Sequence, residues 1–406
     1  MSGTEVRVVV LSETYAPDMG YLTTMLPRYM AREGADVHLV TLDLAAYHYL
    51  PDFLKTYGQF QQRPPEVDAV RKSDGYAVHV LKHRRALGFP RPIGLHGKLR
   101  ELRPDVVYSS VAIGWLPLLA AISRLKLGYR LFTGSHTAAI LFPLARVRRP
   151  FLTLAGLRCL VTRWLPGRIV SLGTELCYAP TSDCGEIAWR FFGVQQHKVR
   201  IVHLGVDTDV FHPVGNAADR DERARLRAEL GFAPQEIVCV YSGKMTEAKN
   251  ALIIAQAIEQ LRARGLGFRG LFIGDGAQRE RIAQCPSSVL VDFMPYRELG
   301  RYYRAADIGV WPTIESTSML DAAACALPLV VADVIYRDHV EGNGRVYRTN
   351  DLPDMVRVLE ELADPSLRAQ LGVAGAAKML ERFNWRKIAA GRLADFTRSV
   401  QAGGAP

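Results

Sequence analysis

Two lysines in the second half of the chain have the type and spacing to bind an anion. Lys244 directly follows Gly243, and Lys249 lies five residues further on, just before an apolar run typical of a helix. Ammonium groups that converge with a helix N-terminus form a binding site for phosphates. The segment therefore predicts a diphosphate site, although a solvated loop with ordinary surface lysines would have the same composition.

A second polar group follows the strand-like run 308–311 and could bind hydroxyls or phosphate. Its members stand at the start of an alanine-rich stretch and are Glu315, Ser316, Thr317, Ser318, Met319 and Asp321. Serine and threonine hydroxyls cap helices, and a helix N-terminus leaves backbone N–H groups free for a ligand. We predict a binding site here, with a capping run that binds nothing as the alternative.

The first half of the chain offers two weaker candidates. Gly20 lies in a loop after the first strand-like run, and His136 follows the strand-like run 129–133. Loops at the ends of strands commonly carry ligand-binding residues, but a single loop histidine is as often structural. These two residues are interpreted as candidates because of their positions.

Short apolar runs alternate with helical patterns in both halves. The first half has strand-like runs at 6–11, 37–42, 105–108, 129–133 and 176–179, with helical patterns at 22–33 and 114–125. The second half has strand-like runs at 237–241, 270–273, 289–293, 308–311 and 329–332, with helical patterns at 251–263, 278–284, 296–305 and 319–326. This alternation predicts two doubly wound α/β domains, in which ligands bind at the carboxyl ends of the strands.

Length and polarity divide the chain further. A chain of 406 residues exceeds what one core usually supports, so two domains are expected. The charge-dense stretch 215–229 is interpreted as a hinge. We predict an N-terminal domain at 1–208 and a C-terminal domain at 209–384, with an amphipathic helix at 385–406 that packs back on the first domain.

Composition excludes several classes of protein. The six cysteines form no CxxC pair and have no histidines at zinc-like spacing, so neither a disulfide framework nor a structural metal is expected. The N-terminus resembles a first strand and not a secretion signal. No run reaches the roughly 18 to 20 apolar residues that span a bilayer. We expect a cytoplasmic protein that is soluble or lies on a membrane.

Positive charge is concentrated between residues 71 and 170. This window holds 18 Lys and Arg against three acidic residues, a net charge of +15 in a chain whose total is +10. Within it, Arg146, Arg148 and Arg149 precede the apolar segment 151–165. A basic amphipathic helix fits an anionic membrane surface or an anionic acceptor. The alternative is a buried helix whose arginines extend to the surface.

Around the lysine loop, the sequence resembles the GT-B glycosyltransferases of family 4, which are retaining enzymes. Gly205, Val206 and Asp207, followed by a Phe-His-Pro at 211–213, resemble the segment by which that family enters its second domain. In the family's diphosphate loop, Lys244 stands at the position of an arginine and Lys249 at that of a lysine. Lysine keeps the charge of arginine but loses its bidentate geometry.

The resemblance continues downstream with departures. Residues 271–276 match the family's glycine turn, and Met294 stands where the donor base is contacted. Asp321 stands at the second of two family glutamates and implies ribose binding, but it is one methylene shorter. Glu315 is the candidate for the first glutamate, yet it lies six positions before Asp321 where the family has eight. Gly20 occupies the place of a glycine pair that closes over phosphates or acceptor.

The resemblance implies retaining transfer of a sugar from a nucleoside diphosphate sugar, without a metal or other cofactor. Glu315 would orient the donor sugar, and His136 would lie near the transferred sugar. The implied architecture is two Rossmann-like domains facing across a cleft. The implied partners are a glycan or lipid-linked acceptor and the anionic inner face of the cytoplasmic membrane, with no nucleic acid.

Three other functions stay open. A sugar-nucleotide epimerase would need further acid and base carboxylates, for which the sequence offers no candidates. A dinucleotide oxidoreductase is disfavoured because no GxGxxG opens the first βα turn. A non-catalytic partner protein with a weakened site is the third, and it is favoured by the departures at Lys244 and Asp321 and by the shortened spacing.

Overall fold

The computed structural model describes residues 6–44 and 74–403, which fall into two compact units. The first unit comprises residues 6–44, 74–204 and 385–403, and the second comprises residues 205–384. The two units meet between residues 204 and 205, a few residues before the boundary that the sequence predicts at 208. No helix in this described part of the chain is long and apolar enough to cross a bilayer.

The first unit is built on a parallel sheet. Its strands are β1 (Arg7–Leu11), β2 (Asp36–Leu42), β3 (Ala77–Leu81), β4 (His83–Ala86), β5 (Phe89–Pro92), β6 (Val106–Ser109), β7 (Arg130–Gly134), β8 (Thr174–Ala179) and β9 (Val199–Ile201). Seven of them pair in the order β3-β2-β1-β6-β7-β8-β9. The order reverses between β1 and β6, and such switch points are where doubly wound sheets bind ligands. Strands β4 and β5 form a separate antiparallel hairpin.

Helices complete the first unit. They are α1 (Leu22–Arg32), α2 (Leu95–Leu102), α3 (Trp115–Leu127), α4 (Leu154–Cys159), α5 (Leu165–Gly173) and α6 (Ser182–Phe191). A π turn, Leu160–Trp164, joins α4 to α5. β6 is buried at every position, because helices cover both faces of a parallel sheet.

The second unit repeats this plan. Its strands are β10 (Ile237–Ser242), β11 (Phe268–Ile273), β12 (Ser288–Val291), β13 (Ile308–Trp311), β14 (Leu329–Ala332) and β15 (Gly344–Tyr347). They pair in parallel in the order β12-β11-β10-β13-β14-β15, so this order reverses between β10 and β13. The helices are α7 (Ala217–Glu229), α8 (Leu252–Ala263), α9 (Arg279–Ala283), α10 (Tyr296–Ala305), α11 (Thr317–Ala324), α12 (Leu352–Glu361) and α13 (Pro365–Arg382).

The last helix, α14 (Trp385–Gly403), belongs to the first unit and packs against α1. Its Asp395 accepts hydrogen bonds from Tyr178 on β8 and from Arg200 on β9. The chain therefore returns to its first sheet at its C-terminal end. Residues 404–406 of the predicted helix lie outside the described residues.

The prediction of a hinge at 215–229 is wrong. The stretch forms α7, which begins with a reciprocal capping box between Asn216 and Asp219. Arg223 and Arg227 both form ion pairs with Asp307, at 2.6 Å and 3.0 Å. The charges that resemble a solvated linker in the sequence are therefore paired inside the second unit.

Candidate functional site

In the second unit, the loops after β10 and β13 meet at the switch point. The Nζ atom of Lys249 donates to the backbone carbonyl oxygens of Ile314 at 3.5 Å and Glu315 at 3.2 Å. The hydroxyl of Thr313 donates to the carbonyl oxygen of Ala248 at 2.7 Å. These bonds bring the predicted lysine loop and the predicted hydroxyl-rich segment together.

The lysine loop also packs on the glycine turn after β11. The amide of Met245 donates to the carbonyl oxygen of Asp275, and its own carbonyl accepts from the amide of Gln278, both at 2.8 Å. Gly274 has a φ of +133°, and a Cβ there would lie 2.1 Å from the carbonyl oxygen of Gly243. Only glycine permits this contact between two backbones.

Burial lowers the pKa of both lysines. It lowers the pKa of Lys249 to about 8, an effect that the nearby Lys244 strengthens and Glu315 opposes. Burial also lowers the pKa of Lys244. Ammonium groups that have lost hydration gain from an anionic ligand, which restores their favoured charged form. The loop is therefore suited to a diphosphate.

The helix α11 begins at the same place. Its N-cap, Ser316, makes no side-chain bond to the backbone of the first turn. Its hydroxyl instead pairs with that of Ser318 at 2.7 Å, and Ser318 contacts the carbonyl oxygen of Ser242 at 3.4 Å. Thr317 opens the helix, and Met319 is fully buried beneath it. The positive end of the helix dipole is thus directed to the loop that follows β10.

Asp321 lies one turn into α11. Burial, with the nearby carboxylate of Asp207, raises its pKa well above the usual range. Asp207 is buried and accepts from the hydroxyl of Tyr296 at 3.4 Å, while Tyr303 pairs with Ser242 at 2.6 Å. Two carboxylates among phenols are good acceptors for the hydroxyls of a ribose. The sequence identified Asp207 as part of a motif but gave it no role in this site.

The side chain of Glu315 contacts the turn after β14, and Met294 lies near the edge of the second sheet. An oxygen of the Glu315 carboxylate accepts the backbone N–H of Tyr336 at 2.6 Å and lies 3.7 Å from Nδ1 of His339. The side chain is thus held by the turn after β14. Met294 lies after the edge strand β12, which is separated from β10 by β11.

In the first unit, a cavity of about 660 Å³ opens at the switch point between β1 and β6. Glu13 follows β1, Ser110 follows β6 and His136 follows β7, and all three line it. The hairpin of β4 and β5 contributes His83 and Phe89 to the opposite wall. Gly20 lies in the loop between β1 and α1, as does Glu13.

The two titratable groups at the strand ends have pKa values shifted in opposite directions, each toward its neutral form. Burial raises the pKa of Glu13 to about 7. Burial and, to a smaller extent, the guanidinium of Arg392 together lower the pKa of His136 to about 4. A neutral carboxyl and a neutral imidazole can each donate and accept hydrogen bonds. Sequence reasoning missed Glu13, although it is the second residue after a buried strand.

A buried cation lies behind His136. Arg392 of α14 is 1% exposed, and its guanidinium lies over the rings of Tyr178 and Tyr108, at 4.6 Å and 5.2 Å from their centroids. Nε2 of His136 and the hydroxyl of Tyr108 lie 2.9 Å and 2.5 Å from the point where a Cβ on Gly134 would stand. The C-terminal helix therefore places a buried positive charge close enough to lower the pKa of this histidine.

The predicted basic and apolar surface is present on the same unit. Arg146, Arg148 and Arg149 are all exposed. After them in the chain, α4, the π turn and α5 expose large apolar side chains, here called the apolar stripe: Leu154, Leu157, Val161, Leu165, Ile169 and Leu172. Leu154 is 87% exposed and Leu172 is 67% exposed, so this face is not a buried one. Within residues 6–44 and 74–403, no three His, Cys, Asp or Glu side chains are grouped as metal ligands.

Two family models match the chain. One, described as "Glycosyltransferase Family 4", covers residues 19–210, and the other, described as "Glycosyl transferases group 1", covers residues 236–364. Together they span most of both units. The chain belongs to the family 4, or group 1, glycosyltransferases.

Curated members of this group resemble the chain over part of their length. The D-inositol 3-phosphate glycosyltransferase of Streptomyces bingchenggensis is 31% identical over 55% of this chain and 52% of its own. The protein of the same name from Segniliparus rotundus is 26% identical over 76% of this chain and 70% of its own. The chain thus matches between about half and 70% of the length of these relatives.

Solved glycosyltransferase structures share the whole fold. HepE of Anabaena, crystallised with UDP, has a TM-score of 0.67 and 15% identity, covering 98% of this chain and 100% of its own. Sucrose-phosphate synthase of Thermosynechococcus elongatus has the same TM-score, identity and coverage. These likenesses identify the fold as GT-B, with two Rossmann-like domains.

Proposed function

We propose that this family 4 glycosyltransferase transfers a sugar from a nucleoside diphosphate sugar to an acceptor, with retention at the anomeric carbon. The donor binds the second unit at the switch point between β10 and β13. The observation that carries the proposal is the pair of partly desolvated lysines, Lys244 and Lys249, beside the N-terminus of α11.

Each part of the donor has a proposed partner there. The diphosphate contacts Gly243, Lys244 and Lys249, with Ser316, Thr317, Ser318 and Met319 presenting the backbone N–H groups of α11. Asp321 accepts the ribose hydroxyls, and the loop at Met294 contacts the base. The lysines and the helix dipole offset the charge that develops on the leaving diphosphate, so we expect turnover without a metal ion.

Glu315 has a double role in this proposal. Its carbonyl oxygen holds Lys249, and its carboxylate, fixed by the backbone of Tyr336, orients the donor sugar. Retention is inferred from the family, and we propose that the acceptor attacks from the face that the diphosphate leaves. The cavity at Glu13 and His136 binds acceptor hydroxyls, with Gly20 in the loop above them.

A panel of UDP-, GDP- and ADP-sugars in a thermal-shift assay tests donor binding. At least one should raise the melting temperature, and Lys249→Ala should abolish that shift while Lys387→Ala, an exposed lysine on α14, should not. Turnover with each stabilising donor, with and without EDTA, then tests transfer and metal independence. If no nucleotide shifts the wild-type protein, a non-catalytic partner protein is the better account.

We further propose that the first unit docks on an anionic membrane, at the inner face of the cytoplasmic membrane. The apolar stripe supports this, because large exposed apolar patches with charged residues nearby mark membrane or partner contacts, and Arg146, Arg148 and Arg149 precede the stripe in the chain. The acceptor would then be lipid-linked or a precursor of an envelope glycan.

Sedimentation with phosphatidylcholine–phosphatidylglycerol vesicles tests the docking. Binding should fall with rising salt and on replacing the three arginines by glutamine, and it should also fall in Leu154→Ser/Val161→Ser. Salt-insensitive binding, or none, would contradict the proposal.

A further inference from the structure

A second cavity of the first unit, here called the groove, has no role in the function proposed so far. It measures about 840 Å³ and lies between the hairpin turn 87–89 and the segment 141–163. Most of its lining is apolar, including Phe142, Val147 and Leu154, and its two charged residues are Arg158 and Arg163. We propose that the groove binds the phosphate and the adjoining hydrocarbon chain of a lipid-linked acceptor. This inference rests on the proposed transfer to an acceptor.

The two arginines supply the phosphate site. In the described part of the chain, neither Arg158 nor Arg163 forms an ion pair with a carboxylate. The guanidinium of Arg163 lies over the ring of Phe142, 5.4 Å from its centroid, which fixes its orientation. Guanidinium groups match phosphate geometry and are weakly hydrated, so they bind phosphates in apolar surroundings.

The helical segment that lines the groove lies directly on the backbone beneath it. A Cβ on Gly156 would lie 1.8 Å from the carbonyl oxygen of Pro150, and one on Gly167 would lie 1.9 Å from that of Phe192. Between these two glycines, Pro166 cannot donate the helical bond to Thr162, and the helix widens into the π turn. That turn carries Thr162 and Arg163 into the groove lining.

The groove joins two surfaces that already have proposed roles. Gly88 and Phe89 line both the groove and the polar cavity that contains Glu13 and His136. Leu154 belongs both to the groove and to the apolar stripe. A hydrocarbon chain that enters at Leu154, with its head group in the polar cavity, would therefore cross the groove that the two arginines line.

This order of environments selects a lipid and not a peptide. An apolar entrance, two arginines and then a polar cavity match a hydrocarbon chain, a phosphate and a saccharide in sequence. A peptide would need backbone hydrogen-bonding partners along the groove, whose lining is formed mainly by apolar side chains.

Farnesyl phosphate, a single-chain isoprenoid phosphate, is a suitable probe for titration with the full chain. Ala155→Trp places a large side chain in the groove without changing charge, and Val161→Trp places the same side chain on the apolar stripe. Because both positions are exposed, both variants should fold, as their melting temperatures will show. Arg158→Gln/Arg163→Gln tests the phosphate site, with Arg168→Gln on α5 as its control.

We expect Ala155→Trp and the double arginine variant each to weaken farnesyl phosphate binding about tenfold or more, an effect of at least about 1.4 kcal/mol. Val161→Trp and Arg168→Gln should bind as wild type does, and farnesol should bind at least about tenfold more weakly than its phosphate. Equal effects of the two tryptophans, or equal binding of farnesol, would overturn the inference.

Nucleotide-induced thermal shifts separate this inference from the proposed function. Ala155→Trp should keep the wild-type shift, because the donor site lies in the second unit. A wild-type protein that responds to a nucleotide but does not bind farnesyl phosphate would refute the groove alone. A protein that responds to no nucleotide would refute the proposed transfer, whatever the groove binds.

Discussion

The ammonium nitrogen of Lys249 lies 3.2 Å from the backbone carbonyl oxygen of Glu315, across the point where the strand order of the second sheet reverses. A neutral carbonyl satisfies the N–H donor without neutralising the charge. The lysine is therefore held in position while most of the cost of its burial remains, since Glu315 only partly opposes the lowering of its pKa. That cost is what a diphosphate can offset.

The pKa of Lys249, about 8, predicts how nucleotide affinity depends on pH. Below pH 8 the ammonium is already charged, so affinity should be flat. Above pH 8 the lysine must take up a proton on binding, and Kd for the best nucleoside diphosphate should rise about tenfold per pH unit. Calorimetry in buffers of different ionisation enthalpy would detect this proton uptake.

Lys249→Arg is the matched control, because arginine stays charged in this range. Its affinity should vary less with pH than that of the wild type. Lys249→Ala should weaken binding about 10- to 100-fold at pH 7, the scale of one charge-assisted bond. If the nucleotide affinity of the arginine variant falls equally steeply above pH 8, the pH dependence does not arise from Lys249.

The raised pKa of Asp321 predicts opposite effects on stability and on binding. A carboxyl whose folded-state pKa lies above its unfolded value stabilises the fold at low pH and loses that contribution as pH rises. Asp321→Asn removes the penalty, so the variant should melt higher than wild type at pH 7.5 and close to it at pH 4. It should also bind nucleotides about tenfold or more weakly, because hydroxyls of the ribose favour the ionised carboxylate with its two acceptor oxygens, whereas Asn offers one neutral acceptor. Asp333→Asn, at a position in the second unit where hydrogen bonds from Thr349 lower the pKa, should not melt higher.

The fold followed from patterns that are local in sequence. Alternating apolar runs and helical patterns predicted two doubly wound domains, and the bounds of α10 and β13 agree with the predicted ones. The structure of charged segments could not be predicted in this way, because a sequence does not show which charged side chains form ion pairs. The ion pairs of α7 with Asp307 made a packed helix resemble a linker, and the hairpin at His83–Pro92 lacks an apolar run.

The same distinction between local and long-range information applies to the candidate site. Residues placed by strand ends, such as Lys249 and Asp321, could be located because a loop follows each buried strand. The burial of a side chain, and its interactions with residues distant in the chain, could not be predicted from the sequence. Glu13 is titratable near neutrality because of the cavity around it, and His136 is affected by Arg392, which is far away in the chain.

Glu13 should make stability depend on pH between its usual pKa of 4.5 and its folded value of about 7. Because the folded pKa is raised, the wild type should lose stability as pH rises through this window. Glu13→Gln should therefore be more stable than wild type at pH 8, by on the order of 3 kcal/mol, and similar at pH 4. Thermal melting across this range checks it, and the exposed Glu280→Gln should show no such trend.

The backbone contact between Gly274 and Gly243 predicts that the donor loop depends on a missing side chain. Gly274→Ala combines two costs, a positive φ of 133° and a Cβ 2.1 Å from the carbonyl oxygen of Gly243. Gly265→Ala isolates the first kind of cost, because Gly265 has a φ of 82° and open space around its Cβ position. We expect Gly265→Ala to cost about 1 kcal/mol of stability and Gly274→Ala at least about 2 kcal/mol more. Gly274→Ala should also weaken nucleotide binding, since the lysine loop must shift to accommodate the methyl group, whereas Gly265→Ala should bind as wild type does. Equal melting temperatures and nucleotide affinities for the two variants would show that the loop adapts without loss.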